Sequence, residues 1–280
     1  RICRAADGDT PRMTDRYAVF GHPLGHTKSP FIHTEFARQF GEDLAYGAIE
    51  APVDGFESAL RRFIDEGGVG ANVTVPFKLE AFGLADHAKD AARICGAANT
   101  LRFLDGRIEA DNTDGVGLVR DITRNLGVPL SGARVLFAGA GGATRGAVAP
   151  FLAQGAEITI ANRTVAKGHE IEVLLGDRGP VRAASYENLS GFFDIVLNST
   201  TLSLTGKAPP LPDTVFEGAR LAYDLVYGKG LTPFLAKAEA RGAQVADGVG
   251  MLVEQAAEAF ALWRGVRPDT APVLAALRQA

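Results

Sequence analysis

The chain has 280 residues and a net charge of −4, with 46% hydrophobic and 22% charged side chains. That balance suits a globular protein of one large or two modest domains and lacks the basic footprint of a nucleic-acid binder. No apolar run approaches the ~18 residues of a membrane span, and the two cysteines and five histidines form neither a disulfide framework nor a metal-ligand spacing, so no metal is expected and a reducing cytoplasm is.

The opening "RICRAADGDTPR" is polar and has no signal-peptide core. Arg1–Arg12 read as a cloning remnant or a misplaced start, with Met13 the expected true start. "YAVFG" (Tyr17–Gly21) is a first strand, and "SPFIHTEFARQF" a helix with Ser29 as N-cap and Pro30 at its first position. "LAYGAIEA" is a strand. "DGFESALRRFIDEGG" is a helix, because Phe56, Leu60, Phe63 and Ile64 share one face and Gly67 stops it. "GANVTV" is the next strand, and "GAANTLRFLDGRIEAD" a hairpin turning at Asp105-Gly106. "TDGVGLVRDITRNLG" leads out as a helix. The βα alternation then restarts with "ARVLFAG", "ATRGAVAPFLAQG", "AEITIAN", "FDIVLNST" and "RLAYDLV", an order that implies a parallel sheet. The chain ends in two helices with no strand between, and periodicity leaves open which half they pack against.

The most informative motif is "VLFAGAGGATRG", Val135–Gly146. A short apolar strand delivers Gly139, Ala140, Gly141, Gly142 and Ala143 to a helix start. Glycines let the backbone approach a pyrophosphate, and the helix end offers free N–H donors. A ligand-free glycine turn is the plain alternative, but it gives no reason for glycines crowded at a strand's carboxyl end. The second strand of this unit ends in Asn162, Arg163 and Thr164, followed by Lys167, with no carboxylate for a ribose 2′-hydroxyl. Cations there favour the 2′-phosphate of NADP over NAD.

"NVTVPFK" places Lys78 just past a strand's carboxyl end, the edge where open α/β sheets hold ligands. A lysine's unperturbed pKa of ~10.4 makes it a proton donor at neutral pH. Lys78 is either such an acid or a solvated lysine early in a short helix. Asp114 in "DNTDGVG" is either its partner or a helix N-cap. Thr27 and Ser29 in "GHPLGHTKSP" are either hydroxyls for a small anion or a loop residue and a cap, roles that can coexist for Ser29. His22 and His26 read as loop residues rather than bases.

Taken together, "YAVFGHPLGHTKSPFIH", "GANVTVPFK", "GAANT", "DNTDGVG", "GAGGATRG", "NRT", "YDLVYGKGLTPFL" and "DGVGMLVEQAAEAF" resemble the shikimate dehydrogenases, in the right order and from Tyr17 almost to the end. The resemblance implies an α/β fold with a substrate-binding and catalytic domain (residues 17–113 with 248–280), a Rossmann NADP-binding domain (114–247) and C-terminal helices that return to the first domain, after a disordered tail or remnant at 1–16. It implies reversible reduction of 3-dehydroshikimate to shikimate with NADPH, on the route to chorismate and aromatic amino acids, by a monomer or homodimer. Lys78 is then the acid/base and Asp114 its partner. Thr27 and Ser29 contact the substrate carboxylate. Asn72, Thr74, Asn99, Asp114 and Gln255 contact the ring hydroxyls and reacting oxygen, Tyr227 lies near the substrate, and Gly250 joins the cofactor site. Two positions depart from the family pattern. Thr27 replaces a usual serine, which bears on shikimate against quinate. Ser203, in "NSTTLSLTG", stands where glycine is expected and should alter that turn's backbone. The rival readings are a broader quinate/shikimate dehydrogenase and a non-catalytic NADP-binding sensor.

Overall fold

The computed structural model describes residues 14–279, so Arg1–Arg12, Met13 and Cys3 lie outside the described residues. Among the described residues, twelve strands form two sheets of six. The first sheet runs β2 (Leu44–Glu50), β1 (Asp15–Gly21), β3 (Gly68–Val73), β5 (Thr100–Leu104), β6 (Arg107–Asp111) and β4 (His87–Ala88). β1 pairs in parallel with β2 and β3, while β5 pairs antiparallel with β3 and β6. The expected hairpin is present, with Asp105 and Gly106 at φ 52° and 72° as a tight primed turn requires. The expected tail boundary at residue 16 is corrected: Asp15 and Arg16 already pair with Leu44 and Ala45.

The second sheet is wholly parallel, in the order β12 (Gln244–Asp247), β11 (Leu221–Asp224), β10 (Ile195–Asn198), β7 (Arg134–Ala138), β8 (Glu157–Ala161) and β9 (Val181–Ala184). Counted from β7, this is the doubly wound order 6-5-4-1-2-3, whose ligand crevice opens where the winding reverses, between β7 and β10. The first sheet reverses similarly at β1: helices α1 (Ser29–Phe40) and α2 (Phe56–Asp65) carry the chain to β2 and then back to β3 on the other side. Thus the loops after β1 and β3 face a second crevice.

The last two helices, α9 (Val249–Arg264) and α10 (Ala271–Gln279), pack on α1 through a core of Ile32, Phe36, Val253, Phe260 and Leu274. Trp263 Nε1 donates to Leu101 O at 2.9 Å, and Arg264 pairs with Asp15 and Glu42. These contacts answer the question periodicity left open: the terminal helices return to the first sheet. Phe260 is fully buried and meets Phe36 edge-on. Phe260→Ala should destabilise the protein by about 3–5 kcal/mol, measured by urea unfolding.

Between the sheets runs α5 (Asp114–Arg120), which widens into a π-helical turn over Asp121–Asn125 rather than continuing as regular α-helix. A Cβ on Gly115 would lie 2.3 Å from Gly146 O, and one on Gly117 2.6 Å from Gln255 N. Glycine is what lets α5 seat against both α6 (Gly142–Ala153) and α9.

Candidate active site

A cleft of about 400 Å³ opens between the two sheet crevices. Thr27, Ser29, Asn72, Thr74, Lys78, Asn99, Asp114, Tyr227 and Gln255, the catalytic and substrate residues expected from sequence, all line it. They come from the loop after β1 and the start of α1, from β3 and the segment through the start of α3, from the turn before β5, from the loop after β11, and from α5 and α9. Met251, Leu225 and Leu252 add apolar walls that sequence reading did not single out. A larger groove, about 700 Å³, lies by α4 (Asp90–Cys95) and α9, but its charges already pair internally, Lys89 with Asp111 and Arg93 with Asp90.

Lys78 opens the helix α3 (Lys78–Gly83). Its carbonyl accepts from Ala98 N at 2.9 Å, which ties it to the turn bearing Asn99. Its ammonium lies 2.5 Å from Asp114 Oδ2. Asp114 is the first residue of α5, but the N-cap position is Thr113, and the Asp114 N–H donates to Asn112 Oδ1 at 3.2 Å. The carboxylate is therefore free for the cleft. It accepts from Lys78 on Oδ2 and from Asn99 Nδ2 on Oδ1 at 2.8 Å. Asn99 Nδ2 also donates to Gln255 Oε1 at 3.1 Å, while Gln255 Nε2 donates to Leu252 O at 2.8 Å. The result is a lysine pointed into a cleft by a carboxylate that is itself held from behind.

Ser29 does not cap α1 as expected. Lys28 takes the N-cap position, and Ser29 begins the helix ahead of Pro30. This moves the Ser29 hydroxyl inward, 3.4 Å from Thr27 Oγ1. Two hydroxyls at the amino end of a twelve-residue helix suit a carboxylate, because unpaired N–H groups and the helix dipole favour negative charge there. His26 lines the same cleft, whereas His22 faces Glu50 at 3.6 Å.

The glycine loop joins β7 to α6. Gly139 has φ +115°, and a Cβ there would meet Ser199 Oγ at 2.8 Å, so only glycine fits. Gly141 is an N-cap with no side-chain partner. Space beside Gly141 and Gly142 is open, and Thr144 Oγ1 donates to Gly139 O at 2.8 Å to brace the turn. The free amides of this loop fit a pyrophosphate. Past β8, Asn162 Nδ2 donates to Thr164 O at 2.9 Å and shapes the turn that carries Arg163. Arg163 and Lys167 are exposed, and among the described residues neither has a carboxylate partner within 4.0 Å. Two unpaired cations at that edge fit a 2′-phosphate. Gly250 does not line the cleft; a Cβ on it would lie 2.0 Å from the Asp121 carboxylate, so its glycine serves the packing of α9 on the π turn.

Models of the shikimate dehydrogenase substrate binding domain and the shikimate 5′-dehydrogenase C-terminal domain match residues 19–101 and 248–278. The shikimate dehydrogenase (NADP(+)) of Laribacter hongkongensis is 54% identical over 270 residues, covering 95% of this chain and 99% of its own. The chain belongs to the shikimate dehydrogenase family. Among solved structures, an Ael1 enzyme from Pseudomonas putida superposes with a TM-score of 0.92 at 56% identity, covering 94% of this chain and 98% of its own. The shikimate 5-dehydrogenase of Thermus thermophilus, in complex with NADP(H) and shikimate, gives 0.85 at 33% identity, covering 95% and 99%.

For a shikimate dehydrogenase family member, the Ser203 departure has a structural explanation. Gly206, not Ser203, takes the positive φ of that turn. Ser203 is buried and donates to Asp224 Oδ2 at 2.5 Å while accepting from Asn198 Nδ2 at 3.0 Å. Thr232 Oγ1 donates to the same Asp224 oxygen at 2.8 Å. The serine thus joins a satisfied buried network at the carboxyl ends of β10 and β11 instead of straining the turn. Cys95 is a buried free thiol whose pKa burial pushes up to about 11, which makes it an inert group beside the glycine loop.

Proposed function

We propose that the chain catalyses the reversible NADPH-dependent reduction of 3-dehydroshikimate to shikimate, with Lys78 as acid/base and Asp114 as its partner. The observation that carries this reading is the Lys78 ammonium, held 2.5 Å from Asp114 in a cleft lined by hydroxyl and amide groups. NADPH, when bound, supplies the hydride. Lys78 gives its proton to the substrate oxygen, and Asp114 orients the ammonium and balances its charge. Thr27 and Ser29 take the substrate carboxylate, while Asn72, Thr74, Asn99 and Gln255 receive the hydroxyls, with Tyr227 closing one side. Gly139 to Ala143 hold the pyrophosphate, and Asn162, Arg163, Thr164 and Lys167 the 2′-phosphate end. Residues 17–113 with 248–280 act as the substrate domain and 114–247 as the nucleotide domain. No described helix is long and apolar enough to cross a membrane. The reading places the enzyme in the cytoplasm, as a monomer or homodimer acting on small molecules.

Thr27 lines the cleft and carries a methyl group that the usual serine lacks, and this keeps a quinate/shikimate dehydrogenase as the second reading. NADPH consumption followed by absorbance, with 3-dehydroshikimate or 3-dehydroquinate and with NADH in parallel, separates the two. Rapid loss with NADPH and 3-dehydroshikimate alone is expected. Comparable turnover of both substrates with NADH would favour the second reading. NADPH binding with no turnover of either would leave a sensor.

A further inference from the structure

Behind Asp114 the polar side chains form a connected train. Tyr46 Oη, on β2, donates to Asn72 Oδ1 at 2.7 Å. Asn72 Nδ2 donates to Thr100 Oγ1 at 3.2 Å and to Asn99 O at 3.1 Å. Thr100 Oγ1 donates to Asn99 Oδ1 at 2.9 Å, and Asn99 Nδ2 donates to Asp114 Oδ1 at 2.8 Å. Two backbone groups fix the way the two amides face. The Asn99 carbonyl can only accept, so the end of Asn72 that faces it is the NH₂. The Thr113 N–H can only donate and points at Asn99 Oδ1 at 2.9 Å, so the end of Asn99 facing Asp114 is again the NH₂. With Asn72 Oδ1 turned toward it, Tyr46 must donate. Thr100 accepts from Asn72 and turns its own proton to the nearer of two acceptors, Asn99 Oδ1 at 2.9 Å rather than Thr113 Oγ1 at 3.3 Å.

Asn72, Asn99 and Thr100 are 6%, 2% and 0% exposed, so water cannot replace a lost partner. The Tyr46 ring is clamped face to face by His33, centroids 4.2 Å apart and planes 4° from parallel. His33 is fully buried, and burial lowers its pKa to about 3, so the clamp is a neutral ring. Burial also pushes the Tyr46 phenol well above its ordinary value, which keeps it a donor. Neither Tyr46 nor Thr100 lines the cleft.

We infer that Tyr46 and Thr100 are positioning residues of the proton-transfer pair: beside the Thr113 N–H, which sets the way the Asn99 amide faces, they hold that amide in place so that Asp114 Oδ1 keeps its donor and Oδ2 stays with Lys78. A corollary follows for binding. Both Nδ2 hydrogens of Asn72 are engaged inside the protein, so toward the cleft Asn72 offers only an Oδ1 lone pair, and a ligand hydroxyl that meets it must donate.

The inference rests on the Lys78–Asp114 reading, and the test separates the two. Thr100→Val, Thr100→Ser, Tyr46→Phe and Lys78→Ala are compared in the full chain with NADPH and 3-dehydroshikimate, alongside each variant's melting temperature. Thr100→Val is expected to lower kcat about tenfold with the KM for NADPH unchanged, and Thr100→Ser, which keeps the hydroxyl, to restore it to within about twofold of the parent. Tyr46→Phe is expected to lower kcat severalfold and raise the KM for substrate, because Asn72 Oδ1 then loses its donor and the amide is less firmly held. A purely structural role would lower the melting temperature without splitting kcat from the KM for NADPH. Parental kcat in Thr100→Val, with Lys78→Ala inactive, overturns this inference alone. Parental turnover in Lys78→Ala overturns the reading beneath it. Should Thr100→Val fail to fold, unchanged kcat and KM in Tyr46→Phe overturn the inference equally.

Discussion

Lys78→Ala should lower kcat by about 10²–10⁴-fold while leaving the affinity for NADPH at its parental value. The size follows from what is removed. A positioned general acid acts only as the substrate oxygen gains charge, so its loss falls on turnover rather than on nucleotide binding. The proposed nucleotide contacts lie in the loops after β7 and β8 and on the helices that follow them, whereas Lys78 opens α3. Lys78 is 30% exposed at its side chain and Asp114 17%, so the alanine variant leaves a carboxylate that keeps Asn99 as donor and remains reachable by water. Folding is therefore expected to survive. Lys78→Arg should be nearly as slow, because a guanidinium keeps the charge but does not give up its proton. Steady-state kinetics beside NADPH titration by fluorescence read both quantities on one preparation.

Arg163→Ala should raise the KM for NADPH by about 10- to 100-fold and leave the KM for NADH and kcat nearly unchanged. A hydrogen bond to a charged group contributes about 1.5–3 kcal/mol, and every 1.4 kcal/mol is tenfold. Arg163 is exposed and Lys167 stands close behind it on α7 (Val165–Leu175). The single variant should therefore fall at the lower end, and the Arg163→Ala/Lys167→Ala pair at the upper, with the two effects coupled because both cations act on one ligand group. Since no described carboxylate lies within 4.0 Å of either, thermal stability should not change. Equal losses with NADH and NADPH would assign these cations to something other than the 2′-phosphate.

The parts of this molecule that announce themselves in sequence are those decided locally. β7 and β8 are five-residue apolar strands buried at four positions each, so their runs stand out. The Asp105-Gly106 turn and the face of α2 are likewise set by neighbours in the chain. β9 and β12, four residues each with largely half-exposed positions, and the two-residue β4 carry no such run and were not expected. They exist because an adjacent strand offers a free edge. Ser29 shows a subtler failure. A serine before proline reads as a cap, yet Lys28 takes the N-cap position without a capping side-chain bond, and the Ser29 hydroxyl lines the cleft.

The site divides in the same way. The glycine loop is contiguous and legible, and Arg163 follows at the expected distance. The Lys78–Asp114 pair joins residues 36 positions apart, and on their own neighbourhoods each had an ordinary explanation. Only the family resemblance linked them beforehand. Tyr46 and Thr100 had no signal at all. In "LAYGAIEA" and "GAANTLRF" they look like ordinary strand residues, and their polarity gains meaning only once the sheet order brings β2, β3 and β5 within reach of one another's side chains.

The most direct test of the proton-transfer assignment is rescue of Lys78→Ala by small primary amines added to NADPH and 3-dehydroshikimate. The account predicts that turnover rises with amine concentration and varies with amine pKa, because the amine takes the place of the missing ammonium beside Asp114. Turnover that stays within about threefold of the parent without amine, and does not respond to it, would contradict it.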